Sequence, residues 1–258
     1  MPDLRDAFQT QVAAIRRQAP MVDPDADPDE LHKLRVAIRR LRALLRAAQP
    51  LLTDARVESL RTELRELGHA IGPARDADVF ASYLREATLE LDEDADALMQ
   101  LQARAEVARR EAYAAARAAL EAPGFERLLQ ELDAFCSGVA LRDGSLNGIV
   151  RTEGRKLQQA MRDIETDEAL HNARIKAKRV RYAAEVADDK DVVARAKRFQ
   201  DVVGEHQDAV FAEERLRSLS EPATALVIGR LIERQRARRA AARAEVPKAW
   251  QKLDKSLT

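Results

Sequence analysis

The sequence predicts an all-α protein, and three observations lead to this prediction. Its 258 residues include 34% charged but only 4% aromatic side chains, in long stretches rich in Ala, Leu, Arg and Glu. That composition favours helices over strands. Proline and glycine interrupt these stretches at a few well-separated places. The period-two alternation of apolar and polar residues that is typical of strands is not found along the sequence.

The interruptions set the limits of the predicted helices. In the first half we expect helices near 3–19 and 29–48, one from Asp54 to the stretch GHAIGPARD, and others near 76–90, 94–121 and 125–136. In the second half we expect helices near 148–164, 168–187, 189–203, 207–218 and 222–245. Asp76 and Asp208 would each follow a helix break, where a capping or ion-pairing role is more typical than catalysis.

One arrangement of residues occurs twice. LHKLRVAIRRLRALL (31–45) has five cationic side chains and a histidine, and LHNARIKAKRVRYAA (170–184) repeats the pattern 139 residues later. Further on the shift falls to 132, where Gly72 matches Gly204 and Asp76 matches Asp208, and we attribute this fall to a shorter third helix in the second copy. The sequence therefore predicts two repeats of one helical bundle, at 3–136 and 146–256.

The two repeated helices share a cationic face. At about 100° per residue, the histidine and arginines of the first copy fall within an arc of roughly 80°. We call this face the N-terminal ridge: His32, Arg35, Arg39, Arg42 and Arg46. Its counterpart, the C-terminal ridge, consists of His171, Arg174, Lys178 and Arg181. Separate apolar stripes, which we expect to face the core, are formed by Leu34, Ile38, Leu41 and Leu45 and by Ala173, Ala177, Val180 and Ala184.

The charge of the ridges indicates an anion site. Lys plus Arg equals Asp plus Glu at 44 each, so such a site must come from segregation of charge, not from excess. Intrahelical ion pairs need acids three or four residues away, and none occurs between Leu31 and Asp54. Arg40 and Arg179 point away from the ridges and could pair with acids such as Asp76 and Asp208.

Other functions are less well supported by the residues. A metal site is not expected, because the histidines lack ligand spacing and lie among guanidinium groups. A phosphohydrolase would need a base or a metal cluster beside the phosphates, and Glu185 is the carboxylate on the face of the second ridge. A nucleic-acid binder remains an alternative, since arginine also suits phosphodiesters, although Tyr182 is the single aromatic residue near either ridge.

The sequence also suggests where the protein is found. The N-terminus has early acids and no apolar region of a signal peptide, and no apolar run reaches the length of a membrane span. We therefore expect a cytoplasmic protein that does not enter a membrane. Cys136 is the sole cysteine, which excludes an intramolecular disulfide, and we expect it to be a partly buried apolar residue.

At these residues the sequence resembles the CHAD family, the "conserved histidine α-helical domain". The resemblance is carried by LHKLRVAIRRLRALL and LHNARIKAKRVRYAAEV, each followed by a related segment, IGPARDADVF or FQDVVGEHQDAVF. It extends to ARREAYAAARAALEAPGFERLLQEL and VPKAWQKL and covers nearly the whole chain. Ala173 departs from the pattern, which prefers leucine beside the second histidine.

The resemblance implies two helical bundles related by a pseudo-twofold axis, with a central basic channel that binds inorganic polyphosphate. It implies a binding module, not an enzyme, and we expect neither catalytic residues nor a cofactor or metal. Family members often carry an N-terminal CYTH triphosphatase domain, and since His32 follows only 31 residues we expect a stand-alone CHAD domain.

We therefore predict a polyphosphate-binding protein, with polyphosphate granules and their proteins as further partners. The alternatives are a nucleic-acid or other polyanion binder and a phosphate-processing enzyme. By motif position, the resemblance assigns phosphate contacts to His32, Arg35, Arg39 and Arg42 and to His171, Arg174, Lys178 and Arg181. By the repeat we add four further cations as candidates, Arg16, Arg155, Arg65 and Lys197, and by its place on the same helix face we add Arg46.

Overall fold

The structure of the chain is a computed structural model that describes residues 4–90, 94–142 and 145–257, without the side chains of Leu89 and Glu90. Within these ranges it is helical, with one isolated β-bridge between Leu52 and Leu141. The α-helices in chain order are α1 Leu4–Gln18, α2 Pro28–Ala48, α3 Val57–Glu90, α4 Ala95–Glu121, α5 Pro123–Gly138, α6 Leu146–Ala160, α7 Asp167–Val186, α8 Lys190–Ser218 and α9 Ala225–Asp254. The all-α prediction is confirmed.

Two predicted helix breaks were wrong. GHAIGPARD lies inside α3, which continues through Pro73, and the segments 189–203 and 207–218 form the single helix α8. Asp76 and Asp208 are therefore interior residues of helices, so neither caps a helix.

The physical reason is the apolar stripe of α3, which continues past the proline. Ile71 and Ala74, on either side of Pro73, are fully buried, whereas the Pro73 ring is exposed. A proline inside a helix costs about 3 kcal/mol or more, and burial on both sides of the ring offsets that cost. In α8 the buried stripe likewise runs on beyond Gly204 to Ala209.

The described residues divide into two compact units, α1–α5 and α6–α9. In the N-terminal unit α1 packs on α2, α2 on α3 and α3 on α4, while α5 contacts α1, α3 and α4. In the C-terminal unit the same sequential packing joins α6, α7, α8 and α9. The second helix of each unit, α2 or α7, thus lies between its neighbours in sequence and carries the ridge.

The offset between matched residues of the two copies falls from 139 to 132 along the chain. Most of this fall comes from the connection between the second and third helices of each copy. Residues 49–56 join α2 to α3, whereas residues 187–189 suffice between α7 and α8. From the helix start to the matched glycine, α3 is only one residue longer than α8. The longer connection is held in place by the bridge, where Arg142 N–H donates to the Leu51 carbonyl at 2.8 Å.

Local sequence explains where the two ridge helices begin. The Asp27 carboxylate accepts from Asp29 N–H at 2.9 Å with Pro28 in the first turn, and the Thr166 hydroxyl accepts from Ala169 N–H at 3.1 Å. Both are N-caps that satisfy otherwise unpaired backbone donors.

Both predicted stripes are buried: all eight side chains, four in α2 and four in α7, are at most 2% exposed. Cys136 is buried as predicted, and burial raises the pKa of its thiol to about 11. It is therefore a thiol, not a thiolate, at neutral pH.

Candidate functional site

The N-terminal ridge is connected to α3 through Arg35. Its guanidinium donates to the Gly72 carbonyl and lies 3.3 Å from the Asp76 carboxylate. A Cβ atom on Gly72 would come within 3.3 Å of Arg35 Nη1. The glycine therefore lets the arginine cross the surface of α3, although glycine in a helix costs about 1 kcal/mol relative to alanine.

The C-terminal ridge contains the same arrangement. A Cβ atom on Gly204 would lie 3.0 Å from Arg174 Nη2, so Arg174 crosses α8 where Arg35 crosses α3. Asp208, four residues after Gly204, is close enough for Arg174 to favour its charged form. Burial is nevertheless the larger effect on both acids, and it raises the pKa of Asp76 and of Asp208.

Arg75 is a ridge neighbour that the sequence reading missed. Partial burial lowers the pKa of His32, and the Arg75 guanidinium lowers it further, together with Arg39 and Arg35. Asp29 opposes them, but the lowering prevails. Arg75 precedes Asp76 in GHAIGPARD. Because that stretch was predicted to break the helix, Arg75 was not assigned to a helix face. Helix α3 brings it to the ridge.

Further along the same helix, Arg42 lies among other arginines. Burial lowers the pKa of Arg42, and Arg65 and Arg61 of α3 lower it further. Arg61 is also paired with Glu58. The predicted candidates Arg42 and Arg65 are therefore brought together, and like charges that crowd each other in this way favour the binding of an anion.

The C-terminal ridge has a more mixed environment. His171 Nδ1 is 2.9 Å from Gln207 Oε1, where the other unit has Arg75. Arg181 is mostly buried, 3.2 Å from the Glu185 carboxylate and 4.8 Å above the Tyr182 ring. Arg174 and Lys178 act on Asp208, as does Arg238 of α9, a cation the sequence reading missed. No periodic pattern along α9 singles Arg238 out.

The remaining candidates lie elsewhere. Arg16 pairs with Asp133 of α5 and lines a cleft with Pro20 and Phe125. Lys197 is exposed, 3.6 Å from Asp201 on its own helix. Arg46 and Arg155 are exposed on α2 and α6. The acid that the sequence offered as a partner for Arg40, Asp76, is paired with Arg35 of the ridge.

A buried polar network supports the N-terminal ridge from below. Asp78 is 3% exposed and accepts from the Tyr113 hydroxyl at 2.8 Å, with the Arg109 guanidinium at 3.3 Å. Arg109 also donates to the Pro24 carbonyl at 2.7 Å. The network thus ties the connection before α2 to α3 and α4. Burial and Asp78 raise the pKa of Tyr113 well above its usual range.

In the C-terminal unit, the corresponding connection before α7 is held in place by different contacts. Asp167, in the first turn of α7, is paired with Arg239 and lies 3.3 Å from Nε2 of the fully buried His206. Arg243 donates to the Ile164 carbonyl at 2.6 Å. Burial lowers the pKa of His206, and Arg239 and Arg243 lower it further, whereas Asp167 opposes them without reversing the direction.

The described residues also bear on metal binding and on membrane insertion. Among these residues, no cluster of three or more His, Cys, Asp or Glu side chains is arranged to hold a metal ion. None of the helices in the described ranges combines the length and apolar character needed to cross a membrane.

Chemically, each unit presents a helix whose exposed face offers several fixed guanidinium or ammonium groups and one imidazole. Fixed forks of this kind suit adjacent oxygens of an oxyanion. Each unit therefore has a helical face whose cations suit an oxyanion. The chain belongs to the CHAD domain family, whose pattern matches residues 6–217.

The chain is also similar to two curated proteins. Two uncharacterized proteins of Mycobacterium tuberculosis, MT2285 and Rv2226, are 31% identical over 207 residues, which is 73% of this chain. The chain spans about 40% of the length of these relatives.

Among solved structures, PptA from Streptomyces chartreusis has a TM-score of 0.80 at 22% identity over 96% of this chain and 98% of that chain. The CHAD domain of the plant Ricinus communis has a TM-score of 0.77 at 25% identity over 97% and 90%. The first likeness is one of fold alone, and the second extends the family assignment to a solved CHAD domain.

Proposed function

We propose that this protein binds inorganic polyphosphate through the N-terminal and C-terminal ridges and does not act as an enzyme. The observation that carries the proposal is the fixed position of Arg35 and Arg174 across matched glycines, beside further cations from the same and neighbouring helices. The same function is what the resemblance to the CHAD family implies.

The chemistry of polyphosphate suits these surfaces. It is a flexible chain with roughly one charge per unit and without bases to be read. Guanidinium forks bind adjacent oxygens, and each charge-assisted contact contributes about 1–3 kcal/mol. Arg39, Arg75 and Arg42 would add to Arg35 in the N-terminal unit, and Lys178 and Arg238 to Arg174 in the C-terminal unit.

Nucleic acid is the competing ligand, and one observation argues against it. Proteins that bind single strands usually stack bases on exposed aromatic rings. Tyr182, the aromatic residue within the C-terminal ridge helix, is 1% exposed and covered by Arg181. It therefore offers no platform for a base.

Competition binding separates these ligands. A fluorescent long-chain polyphosphate bound to the protein is displaced by unlabelled polyphosphate or by single-stranded RNA of equal total charge. We expect polyphosphate to compete at least tenfold better. Equal competition would identify a general polyanion binder and contradict the proposal.

We further propose that the two units are repeats, at 3–136 and 146–256, related by a pseudo-twofold axis, whose ridges line one basic channel. One long chain would then contact both ridges, and the second contact would benefit from high effective concentration. Affinity should rise sharply between tripolyphosphate and a chain long enough to reach both ridges. Two independent sites of equal affinity for short and long chains would exclude a shared channel.

We propose a cytoplasmic, granule-associated protein that works without metal. Chelator dialysis should leave folding and polyphosphate affinity unchanged, because the ridge histidines lie among guanidinium groups. Release of phosphate from polyphosphate in the presence of divalent metal would instead indicate an enzyme.

In cells, a tagged protein should co-localise with polyphosphate granules, and the variant without ridge cations should not.

A further inference from the structure

His171 of the C-terminal ridge is held by a side chain that nothing in the ridge pattern predicts. Its Nδ1 lies 2.9 Å from Gln207 Oε1, and Gln207 Nε2 donates to the Asp167 backbone carbonyl at 3.3 Å. Gln207 thus bridges α8 to two positions of α7, one helical turn apart.

This bridge fixes the orientation of the Gln207 amide. A backbone carbonyl can only accept, so the NH₂ group of Gln207 must face Asp167 and its oxygen must face His171. An amide oxygen can also only accept. His171 Nδ1 must therefore carry a hydrogen in both the neutral and the charged ring.

The consequence falls on the other ring nitrogen. In neutral His171, Nε2 then has a lone pair, which repels the oxygens of a phosphate. Only the imidazolium form donates from Nε2. A tautomer with a hydrogen on Nε2, which could bind phosphate without a charge, is excluded by the bridge.

We propose that Gln207 is a positioning residue which, through the tautomer of His171, makes anion binding at the C-terminal ridge depend on uptake of a proton. The inference rests on the proposed polyphosphate function and adds its regulation by pH. The first unit has Arg75 at the matched position, so this device belongs to the C-terminal unit.

Other charged groups near His171 also enter its pH dependence. Asp167 is held by Arg239 and Arg243, which limits its influence on the ring. Asp208 lies among cations, and its protonation would favour anions too. Further charged or titratable groups close to His171 or Gln207 along their own helices are Glu168, Arg174, Glu205 and His206. Arg238 of α9 is paired with Glu205. A test must therefore separate His171 from this background.

The tautomer can be measured without any ligand. The chain has four histidines, so long-range ¹H–¹⁵N spectra of the imidazole rings can be assigned with a His171→Gln variant. We expect neutral His171 to show a protonated Nδ1 and a bare Nε2. In Gln207→Leu this preference should be lost. In Gln207→Glu, which keeps an acceptor and adds charge, Nδ1–H should remain. A neutral His171 with hydrogen on Nε2 in the wild type overturns the proposal.

The binding test is a pH series between pH 5.5 and 8.5 with long-chain polyphosphate. Bound phosphate favours the imidazolium form of His171, so polyphosphate affinity should be highest at the low end of the series and fall as the pH rises. His171→Gln should lose the whole contribution of His171 to this dependence. Gln207→Leu should lose part of it, because a neutral ring can then donate from Nε2, and the double variant should lose no more than His171→Gln. Gln207→Glu should shift the fall to higher pH.

A matched control is Gln158→Leu, which removes a 2.8 Å hydrogen bond to Asp254 elsewhere in the same unit and should keep the wild-type pH profile. If polyphosphate does not bind at all, the proposed function fails while the spectra still report the tautomer. If it binds and the profile of Gln207→Leu equals that of the wild type, the role of Gln207 is refuted.

Discussion

The N-terminal and C-terminal ridges are alike in sequence but lie in different surroundings. Arg75 adds positive charge beside His32, whereas Gln207 bonds to His171 without adding charge. Asp76 is paired with an arginine that also bonds to Gly72, and Asp208 lies among three cations. The matched helices thus supply similar cations, and their neighbours give each ridge different surroundings. If the ridges bind an anion as proposed, these neighbours would decide how strongly, and at which pH, each ridge does so.

The largest effect is expected on stability, from the buried polar network of Asp78 below the N-terminal ridge. Asp78→Ala leaves the buried Tyr113 hydroxyl without its acceptor and the Arg109 guanidinium with Glu106 as its acidic partner, so we expect a loss of about 3 kcal/mol in the free energy of unfolding. Asp25→Ala removes an exposed pair with Arg110 in the same region and should cost less than about 1 kcal/mol. Urea denaturation of both variants measures this, and equal small losses would remove Asp78 from the support of α2.

The second-largest effect is expected on polyphosphate affinity, because Arg75 adds a charge beside the N-terminal ridge where the C-terminal unit has Gln207. Arg75→Gln gives the N-terminal unit the residue of the C-terminal unit, and polyphosphate binding should weaken by about 1–3 kcal/mol. It should also raise the pKa of His32, because one of the charges that lower it is gone. Arg85→Gln, an equal charge change at an exposed site of the same helix, is the control. Titration calorimetry giving the same loss for both would mean that Arg75 has no special place.

His206 makes the stability of the C-terminal unit depend on pH. Burial lowers its pKa in the folded state, so below about pH 6.5 the unfolded chain takes up a proton that the folded chain refuses. Stability should be complete above that pH and fall below it, by at most about 1.4 kcal/mol per pH unit. His206→Gln should flatten this fall, and the exposed His69→Gln should leave it unchanged. The free energy of unfolding, measured at pH 5 and pH 7.5, tests this prediction. A loss of stability at pH 5 that persists in His206→Gln would show that His206 does not cause it.

Substitution of the matched glycines should have the smallest effect, and it should raise stability while it lowers polyphosphate affinity. Gly204→Ala should raise the free energy of unfolding by up to about 1 kcal/mol through helix propensity, while Arg174 is displaced and polyphosphate affinity falls. Gly72→Ala should act in the same direction but less, since its contact is longer. Gly229→Ala, with open space around it in α9, should gain stability without losing affinity. Unchanged affinity in Gly204→Ala would show that the crossing of Arg174 is irrelevant to binding.

Much of the fold could be predicted from periodicity alone. Leu34, Ile38, Leu41 and Leu45 follow the spacing of one helix face and are buried, because a single helix determines which residues share a face. Gly72 and Pro73 misled the prediction, because local breaking signals compete with burial that only the tertiary structure provides.

The site was less predictable for a related reason. Arg75, Gln207 and Arg238 come to the ridges from neighbouring helices, and no local pattern specifies how those helices pack. Gly204 could be aligned with Gly72 by subtraction, but the arginine that requires each glycine became clear only in the structure.

The central claim, that the ridges are the polyanion site, is tested most directly by a salt titration of polyphosphate affinity. It compares the wild type with the variant carrying Arg35→Ala, Arg39→Ala, Arg174→Ala and Lys178→Ala, with circular dichroism of both. We expect the variant to keep its helical spectrum, lose several kcal/mol of binding at about 1–3 kcal/mol per contact, and show a shallower salt slope, because fewer counterions are released. A folded variant with wild-type affinity and slope would contradict the account.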